Sequence, residues 1–572
     1  MTGDAATVRT VEVFLAGFVW WVASVWVTAT VTGSTLTAVR AVPLPAAAVA
    51  AIRLPATLTA PGDAFPAGVT VRTPGWVWWP VHTVIAAGVP TVVAVAGRRR
   101  GWWQRDRLDR RRRAGVRAQA GFATRRDLTP LLVRDPAQVT DRFVLGRYRH
   151  RHWLATEHPA RTGRTRGVRG AVMILGPTQS GKTHRVIDAI GWWPGPVLAC
   201  SVKTDLAAAT TPGRTARGEV RIFDPAGITT GPTAGWDPLA VAGTVDAAQR
   251  TAELLVDPTG PGTGTQDRFW RAQATQLLAG LLWIAATARR TDPTIRIGTV
   301  ARWVLALDRA DTPGVDGLQH TLTTVDCDPD HVDDLRRVKH WLHGVWNADP
   351  RTSASVYLSA RDAVWPWTAP HTATSADTHD LTLDWLTAGA NTAHIVVPLG
   401  DEHRHGRLAA AVIGDVVHDA YTHANRTGPI HPPLLVVLDE AANTPLGPLP
   451  RWSATLTGAG IQLVTIWQTV AQLHALYGND ADTVLANHRT KIIHGASHDR
   501  ATLDYISWLT GTEHLPGHLT GPFDPPATGP TPGHGVPLLT PDMIRQLATG
   551  DILLIHGALP PVRLKPTRTH PK

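Results

Sequence analysis

Cysteine is nearly absent from this sequence, with Cys200 and Cys327 as the only two in 572 residues. Two cysteines are too few for a disulfide framework, which excludes the small disulfide-stapled folds of secreted proteins. The sequence also lacks a G-x-S-x-G nucleophile motif, so it gives no support for acyl-transfer chemistry. What remains is the composition of a folded protein, with 43% hydrophobic and 18% charged residues, and a length that predicts two or three structural units.

Two long apolar stretches contain no Asp, Glu, Lys or Arg, and they run from Val13 to Thr37 and from Trp76 to Ala96, the second interrupted by Pro80 and Pro90. Each is long enough to cross roughly 30 Å of hydrocarbon as a helix. We therefore predict a membrane anchor in residues 1–117, with transmembrane helices at about 13–33 and 76–96. A cleaved signal peptide is the main alternative for the first stretch.

Basic residues outnumber acidic ones, with 56 Lys and Arg against 46 Asp and Glu and a formal net charge of +10. This excess favours an anionic partner, either nucleic acid or a lipid surface. Nine arginines lie between Arg98 and Arg113, directly after the second predicted span. By the positive-inside rule they predict an inner (plasma) membrane protein whose two termini and main body are cytoplasmic. The block is explained by orientation and lipid headgroups without DNA contact.

Beyond about Gln119, short apolar runs alternate with helical patterns, which predicts an α/β sheet layered by helices. Between Asp237 and about Ala369 only helical patterns occur, so we predict an all-helical insertion at 237–375. The surrounding domain would comprise 118–236 and 376–565, followed by a basic tail at 566–572. The predicted strands are 171–175, 196–200, 220–224, 393–399, 434–439, 461–467 and 491–495.

A phosphate-binding loop follows the first of these strands and precedes a helical pattern. Its residues are Gly176, Pro177, Thr178, Gln179, Ser180, Gly181, Lys182 and Thr183. The glycines allow backbone N–H groups and the helix N-terminus to face phosphates. Lys182 would neutralise the β and γ phosphates of ATP, and Thr183 would hold Mg²⁺.

Two further strands end in polar residues that complete such a site. The strand at 434–438 is followed by Asp439, which would order Mg²⁺ through water, and by Glu440, a candidate base for the attacking water. The strand at 461–467 is followed by Gln468, which could contact the γ phosphate. The alternative for Gln468 is a surface side chain that caps the next helix. Lys182, Glu440 and Gln468 are therefore the predicted catalytic residues.

Several segments together resemble the type IV secretion coupling proteins of the TraD/TraG kind. Besides the phosphate loop they are SVKTDL, FDPAG, WDPL, FWRAQA, LLVVLDEAAN and GIQLVTIWQTVAQL. The segments NHRTKIIHG, DRATLDYISWLTG and LLTPDMIRQLATGDILLIHG are similar to the C-terminal core of that family. The match covers most of the chain after about Arg142, together with the predicted membrane hairpin.

The resemblance implies an α/β fold: a RecA-like P-loop NTPase domain with an inserted all-α domain, preceded by a two-helix transmembrane anchor. It implies a homohexameric ATPase that couples ATP hydrolysis to transfer of single-stranded, relaxase-bound DNA into a type IV secretion channel. The expected partners are DNA, a relaxase-type protein and the membrane proteins of the channel. No small-molecule substrate other than ATP is expected.

Some assignments stay open. Ser201, Lys203 and Asp205 either belong to a family motif near the sheet or begin a capped helix. Many members carry an Arg shortly before the strand that leads to Gln468, but the residues here are LTGAGI. An arginine acting in trans would then come from a candidate set that the sequence does not narrow, namely Arg451, Arg489 and Arg500.

Three other functions are weighed against this one. An FtsK-like double-stranded DNA translocase would carry a C-terminal winged-helix domain that the sequence does not show. A nucleotide-gated receptor or scaffold would not need the carboxylate of Glu440. The sequence does not distinguish a secretion ATPase with protein cargo.

Overall fold

The computed structural model of the chain describes most of its residues. These are 18–32, 42–67, 69–71, 73–100, 121–149, 152–157, 170–256, 265–310, 317–326, 331–495, 497–514, 535–548 and 550–565. The chain divides into two compact units, Met1–Ala118 and Gln119–Lys572.

The first unit is helical. Residues 18–32 form a helix, followed by α1 (Leu44–Arg53) and α2 (Gly75–Arg100), with short 3-10 turns between α1 and α2. Tryptophan side chains join these elements: the Trp21 indole N–H donates to the carbonyl of Ala51 at 2.9 Å. The unit therefore has a small core of its own.

Within the described residues, no helix combines the length and the apolar character that a membrane crossing requires. Of the first predicted span, residues 13–17 and 33 lie outside those that the structure describes. The second predicted span lies within α2, where Pro80, His82 and Pro90 interrupt the apolar run. The structure therefore does not confirm the prediction of two transmembrane helices.

The second unit contains three sheets. A small antiparallel sheet has the order β1-β3-β2, and a hairpin pairs β11 with β12. The nine-stranded sheet has the order β14-β13-β10-β4-β9-β8-β5-β7-β6. The strands are β1 (Leu132–Val133), β2 (Val144–Tyr148), β3 (His152–Ala155), β4 (Val172–Leu175), β5 (Val197–Ser201), β6 (Val220–Phe223), β7 (Thr392–Val396), β8 (Leu434–Leu438), β9 (Ile461–Trp467), β10 (Thr490–His494), β11 (Thr512–His514), β12 (Gly535–Pro537), β13 (Ile552–His556) and β14 (Val562–Leu564).

Seven strands of the large sheet, from β10 to β6 in sheet order, run parallel, and β13 and β14 add an antiparallel edge. The parallel strands coincide with the seven that the sequence predicts. Both faces of the sheet are covered, which explains the uninterrupted apolar runs. Because the strands are parallel, the carboxyl ends of β4, β5, β8, β9 and β10 meet at one edge.

Helices cover both faces of this sheet, and the helices of the second unit follow here in chain order. They are α3 (Lys182–Trp192), α4 (Asp205–Arg214), α5 (Pro238–Val241), α6 (Val245–Val256), α7 (Thr265–Ala288), α8 (Ile297–Leu305), α9 (Leu318–Asp326), α10 (Val332–Trp346), α11 (Pro350–Val364), α12 (Pro370–Thr374), α13 (Leu383–Thr387), α14 (Glu402–Thr427), α15 (Leu449–Thr455), α16 (Val470–Tyr477), α17 (Ala481–Asn487), α18 (Arg500–Thr510) and α19 (Pro541–Arg545).

Alternate residues of each strand face different layers. Val172 and Ile174 pack with α3 and the small sheet, whereas Met173 and Leu175 share a core with α7 and its neighbours. The part of the chain described between β6 and β7 is helical, with α7 as its central element. This helical segment shares one continuous core with the sheet, so the boundaries at 237 and 375 stay a prediction.

Candidate functional site

The phosphate loop lies between the carboxyl end of β4 and the start of α3. Its backbone takes left-handed angles at Gln179 (φ 62°) and Gly181 (φ 88°), so the loop turns sharply before the helix. At Gly181 a β-carbon would meet nothing within 4 Å, and the backbone angle is what favours glycine there. The first N–H groups of α3 have no partner within the helix and are free to bind an anion.

Lys182 is the first residue of α3, and only 8% of it is exposed. Its ammonium group donates to the carbonyl oxygens of Gly176 at 2.5 Å and Pro177 at 2.6 Å. Burial lowers the pKa of Lys182, while the nearby charges of Asp439 and Glu440 oppose that shift. The predicted cation and the two predicted carboxylates therefore lie close enough to interact.

Asp439 directly follows β8 and is buried, with 6% exposure. The hydroxyl of Ser201, at the end of the adjacent β5, donates to its carboxylate at 3.1 Å. Burial raises the pKa of Asp439 to about 6, and the bond from Ser201 and the charge of Lys182 act in the opposite direction. A buried carboxylate with one protein donor and a raised pKa is suited to a cation ligand.

Glu440 adopts a left-handed backbone, φ 55°, which is uncommon for a side chain of this type. Its carboxylate accepts a hydrogen bond from the Asn443 amide at 3.2 Å. Strained residues of this kind concentrate at functional sites, because the surrounding structure must hold them in place. A short 3-10 turn, Ala441–Asn443, follows Glu440.

Gln468 follows β9 beside the start of the phosphate loop, since the N–H of Gly176 donates to the Trp467 carbonyl at 3.2 Å. The cap of α16 is Thr469, whose hydroxyl accepts from the N–H of Gln472 at 3.2 Å. Gln468 is therefore not the helix cap that the alternative interpretation requires. A contact with the γ phosphate stays a prediction.

The segment SVKTDL, left open by sequence analysis, contributes to the site through Ser201. The hydroxyl that donates to Asp439 also accepts from the N–H of Lys203 at 3.3 Å. Helix α4 begins at Asp205, and its cap residue Thr204 makes no capping bond through its side chain. Lys203 is exposed, and its charge reaches both Lys182 and Asp439.

The family motif FDPAG forms a turn in the structure, and WDPL begins helix α5. The Asp224 carboxylate accepts from the N–H groups of Gly227 at 2.9 Å and Thr229 at 2.6 Å. Asp237 caps α5 and forms an ion pair with Arg289. Both acids stabilise local backbone.

Sequence analysis missed His494, the last residue of β10. Its Nδ1 lies 2.9 Å from the Ser180 carbonyl of the phosphate loop, and the side chain is buried. The sequence shows only that His494 lies near the end of a predicted strand. It does not show that this strand lies beside β4, which leads into the phosphate loop.

The candidates for an arginine acting in trans lie in different places. Arg489 pairs with Glu157 at 2.8 Å, and Arg500 pairs with Asp504 at 3.4 Å while its side chain is 95% exposed. Arg451 lines a cleft of about 1820 Å³ between α6, α7, α14 and the segments 445–452 and 476–480. The structure does not select one of the three.

Among the residues that the structure describes, no group of three or more His, Cys, Asp or Glu side chains could hold a metal ion. Mg²⁺ does not need such a cluster, because it commonly binds through one or two protein oxygens together with waters and substrate phosphates. The hydroxyl of Thr183 and the carboxylate of Asp439 are oxygen donors of the required chemistry.

Comparison with known proteins identifies the family. The family model for "Type IV secretory system Conjugative DNA transfer" matches residues 141–568. A probable conjugal transfer protein TraG of Sinorhizobium fredii (strain NBRC 101917 / NGR234) is 27% identical over 330 residues, which are 56% of this chain and 48% of that protein. The chain thus spans about half the length of the curated relative that it matches.

Two solved structures have a similar fold. The plasmid coupling protein TrwB in complex with the GTP analogue GDPNP has a TM-score of 0.52 at 16% identity, covering 79% of this chain and 98% of that one. The same protein in complex with ADP and Mg²⁺ has a TM-score of 0.51 at 15% identity, covering 70% and 85%. At these identities the likeness establishes the fold.

Proposed function

This chain belongs to the type IV secretory system conjugative DNA transfer family, and we propose that it is an ATPase whose hydrolysis cycle moves DNA into a secretion channel. The observation that carries the proposal is the convergence of Lys182, Asp439 and Glu440 at the carboxyl edge of one parallel sheet. A cation held against a phosphate loop beside two carboxylates is the arrangement that phosphoryl transfer to water requires.

Each residue has a defined part in the proposed hydrolysis. The N–H groups of the loop and of the first turn of α3 hold the β and γ phosphates, and Lys182 neutralises them. Thr183 and Asp439 would hold Mg²⁺, and the bound ion would supply positive charge to the phosphate oxygens. Glu440 accepts a proton from the attacking water, and Gln468 contacts the γ phosphate. TrwB, the protein of similar fold, is described with GDPNP and with ADP and Mg²⁺.

The finer parts of the proposal are the oligomer and the partners. We propose a homohexameric ring held at the inner membrane by the segment before residue 118, with DNA, a relaxase-type protein and channel proteins as partners. Support comes from the family, from the net charge of +10 and from the apolar stretches near the N-terminus. If the protein binds DNA through the backbone phosphates, its affinity should depend little on base sequence and should fall as the salt concentration rises.

The test is ATP turnover by the purified full-length chain with single-stranded, double-stranded or no DNA. We expect single-stranded DNA to stimulate turnover most, and we expect Lys182→Ala to reduce turnover at least a hundredfold, because the phosphates lose their cation. Stronger stimulation by double-stranded DNA would instead support an FtsK-like translocase. ATP binding without hydrolysis in any condition would contradict the motor and favour a gated scaffold.

A further inference from the structure

His494 is packed directly against the phosphate loop. The register of β10 and β4 pairs Ile493 with Leu175, so the next residues along the two strands, His494 and Gly176, are neighbours. A β-carbon placed on Gly176 would lie 2.8 Å from the β-carbon of His494, closer than such atoms approach. The β-carbon of His494 and the Ser180 hydroxyl, which would lie at 2.9 Å, together leave room only for glycine at the first position of the loop.

The hydrogen bond between His494 and Ser180 fixes the tautomer of the ring. A carbonyl oxygen only accepts, so Nδ1 of His494 carries the proton and donates to the Ser180 carbonyl at 2.9 Å. Burial, together with the charge of Arg185, lowers the pKa of His494 to about 3 although the bond to the Ser180 carbonyl acts in the opposite direction, so the ring is neutral at physiological pH. The Nδ1–H bond therefore persists across the working pH range.

The direction of this bond determines where the next N–H group points. The Ser180 carbonyl and the Gly181 N–H belong to one planar trans peptide, in which the C=O and N–H bonds point in opposite directions. When His494 holds the carbonyl on the sheet side of the loop, the Gly181 N–H is turned away from the sheet. That N–H lies directly before α3, where an anion would bind.

We propose that His494 is a positioning residue of the phosphate loop, which orients the Gly181 N–H toward the nucleotide by holding the Ser180 carbonyl. The inference rests on the proposed nucleotide binding. It assigns to β10 a part in phosphate recognition that the family motifs of the loop do not include.

Another buried histidine of the same sheet provides a matched control. His394 on β7 is 2% exposed, and its Nε2 lies 3.1 Å from the hydroxyl of Thr210 on α4. Burial lowers the pKa of His394 to about 4. In the sheet order β7 lies four strands from β4. A substitution of His394 therefore changes a similar buried ring without touching the phosphate loop.

The experiment measures the Kd of a fluorescent ADP analogue, the KM and kcat for ATP, and the unfolding midpoint, all with the full-length chain. Losing one hydrogen bond that orients a phosphate ligand should cost about fivefold in affinity. We therefore expect His494→Leu to raise Kd and KM about fivefold with kcat within about twofold of the original. The control His394→Leu should lower the unfolding midpoint and leave Kd unchanged.

Two amide variants test the position of the donor without removing polarity. The Asn side chain places its N–H₂ where Nδ1 of histidine stands, whereas the Gln side chain places it one bond further out. We expect His494→Asn to restore Kd to within about twofold of the original, and His494→Gln to resemble His494→Leu. This contrast applies even where His494→Leu does not fold.

The outcomes separate the two proposals. If the unsubstituted chain does not bind the analogue, the proposed function fails and the inference fails with it. If the unsubstituted chain binds the analogue and His494→Leu, His494→Asn and His494→Gln all bind it as tightly as that chain does, the inference alone is wrong. If His494→Asn and His494→Gln both lose nucleotide affinity, and the loss in each variant follows the fall in its unfolding midpoint, His494 is only a structural residue. The inference is then overturned.

Discussion

A buried cationic side chain lies at each end of the parallel strands, one at their amino ends and one at their carboxyl ends, and the two differ in their hydrogen-bond partners. Arg214, at the amino end, is fully buried and donates five hydrogen bonds to the neutral acceptors Thr392 Oγ1 and the carbonyls of Ile190, Trp193, Gly195 and Ala390. Lys182, at the carboxyl end, donates to two carbonyls and faces Asp439 and Glu440.

The difference concerns what remains available to a ligand. All five N–H groups of a guanidinium are used at Arg214, so no bonding capacity remains and the group can only stabilise the fold. At Lys182 one of three N–H groups is left, the neighbours are ionisable, and the adjacent loop has φ angles that no regular element requires. A buried cation whose N–H groups all have acceptors in the protein has a structural role. A buried cation with an unused N–H group beside buried carboxylates indicates a ligand site.

Among the variants that test the difference between the two ends of the strands, Glu440→Gln should have the largest effect, and the effect should be on ATP turnover. The variant keeps the shape of the side chain and removes the base, so turnover should fall about a thousandfold while the affinity for ATP stays within a few-fold. The matched control is Glu219→Gln, the same chemical change at the exposed residue that precedes β6 at the amino end. Single-turnover hydrolysis and equilibrium binding measure the two quantities. Equal losses in the two variants would erase the distinction between the sheet ends.

The converse effect is expected at Arg214. The variant Arg214→Met leaves several buried carbonyls without a donor, and we expect the free energy of unfolding to fall by about 3 kcal/mol or more. The nucleotide Kd of the protein that remains folded should not change. The control is Arg217→Met, an exposed arginine three residues away, with a change within about 0.5 kcal/mol. Thermal unfolding checks the stability, and a loss of nucleotide affinity without a loss of stability would contradict the assignment.

The sequence predicts the parallel strands and the loop motif well, because each is a consecutive pattern. A strand buried on both faces is an uninterrupted apolar run, and the phosphate loop occupies eight adjacent residues. The small sheet and the strands β13 and β14 were not predicted. Strands β2 and β3 mix polar with apolar residues, and β14 has only three residues. Strand β13 is five residues long, apolar and buried like the predicted strands, so its pattern was present in the sequence and was overlooked.

The missed parts of the site are contacts between distant residues. His494 meets Ser180 across 314 positions of the chain, and Ser201 meets Asp439 across 238. Such pairs depend on strand order, which no local pattern specifies. Near the N-terminus, length and the absence of Asp, Glu, Lys and Arg predicted two membrane spans, and the described residues do not confirm that prediction. The prolines and the histidine of α2 reduce the apolar character that a crossing helix requires.

The smallest effect tests whether Ser201 belongs to the functional end of the sheet. Among the residues that the structure describes, its hydroxyl is the one side-chain donor to the Asp439 carboxylate, and the bond joins the adjacent strands β5 and β8. Removing one donor to a buried carboxylate costs about 1 kcal/mol, so Ser201→Ala should raise the Mg²⁺ concentration for half-maximal turnover about fivefold. The variant Ser201→Thr keeps the hydroxyl and should stay within about twofold. If the Mg²⁺ dependence of Ser201→Ala matches that of the original chain, while its unfolding midpoint falls, Ser201 groups with Arg214 as a structural residue. If the Mg²⁺ dependence shifts and the stability does not, the functional end of the sheet extends from the phosphate loop to β5.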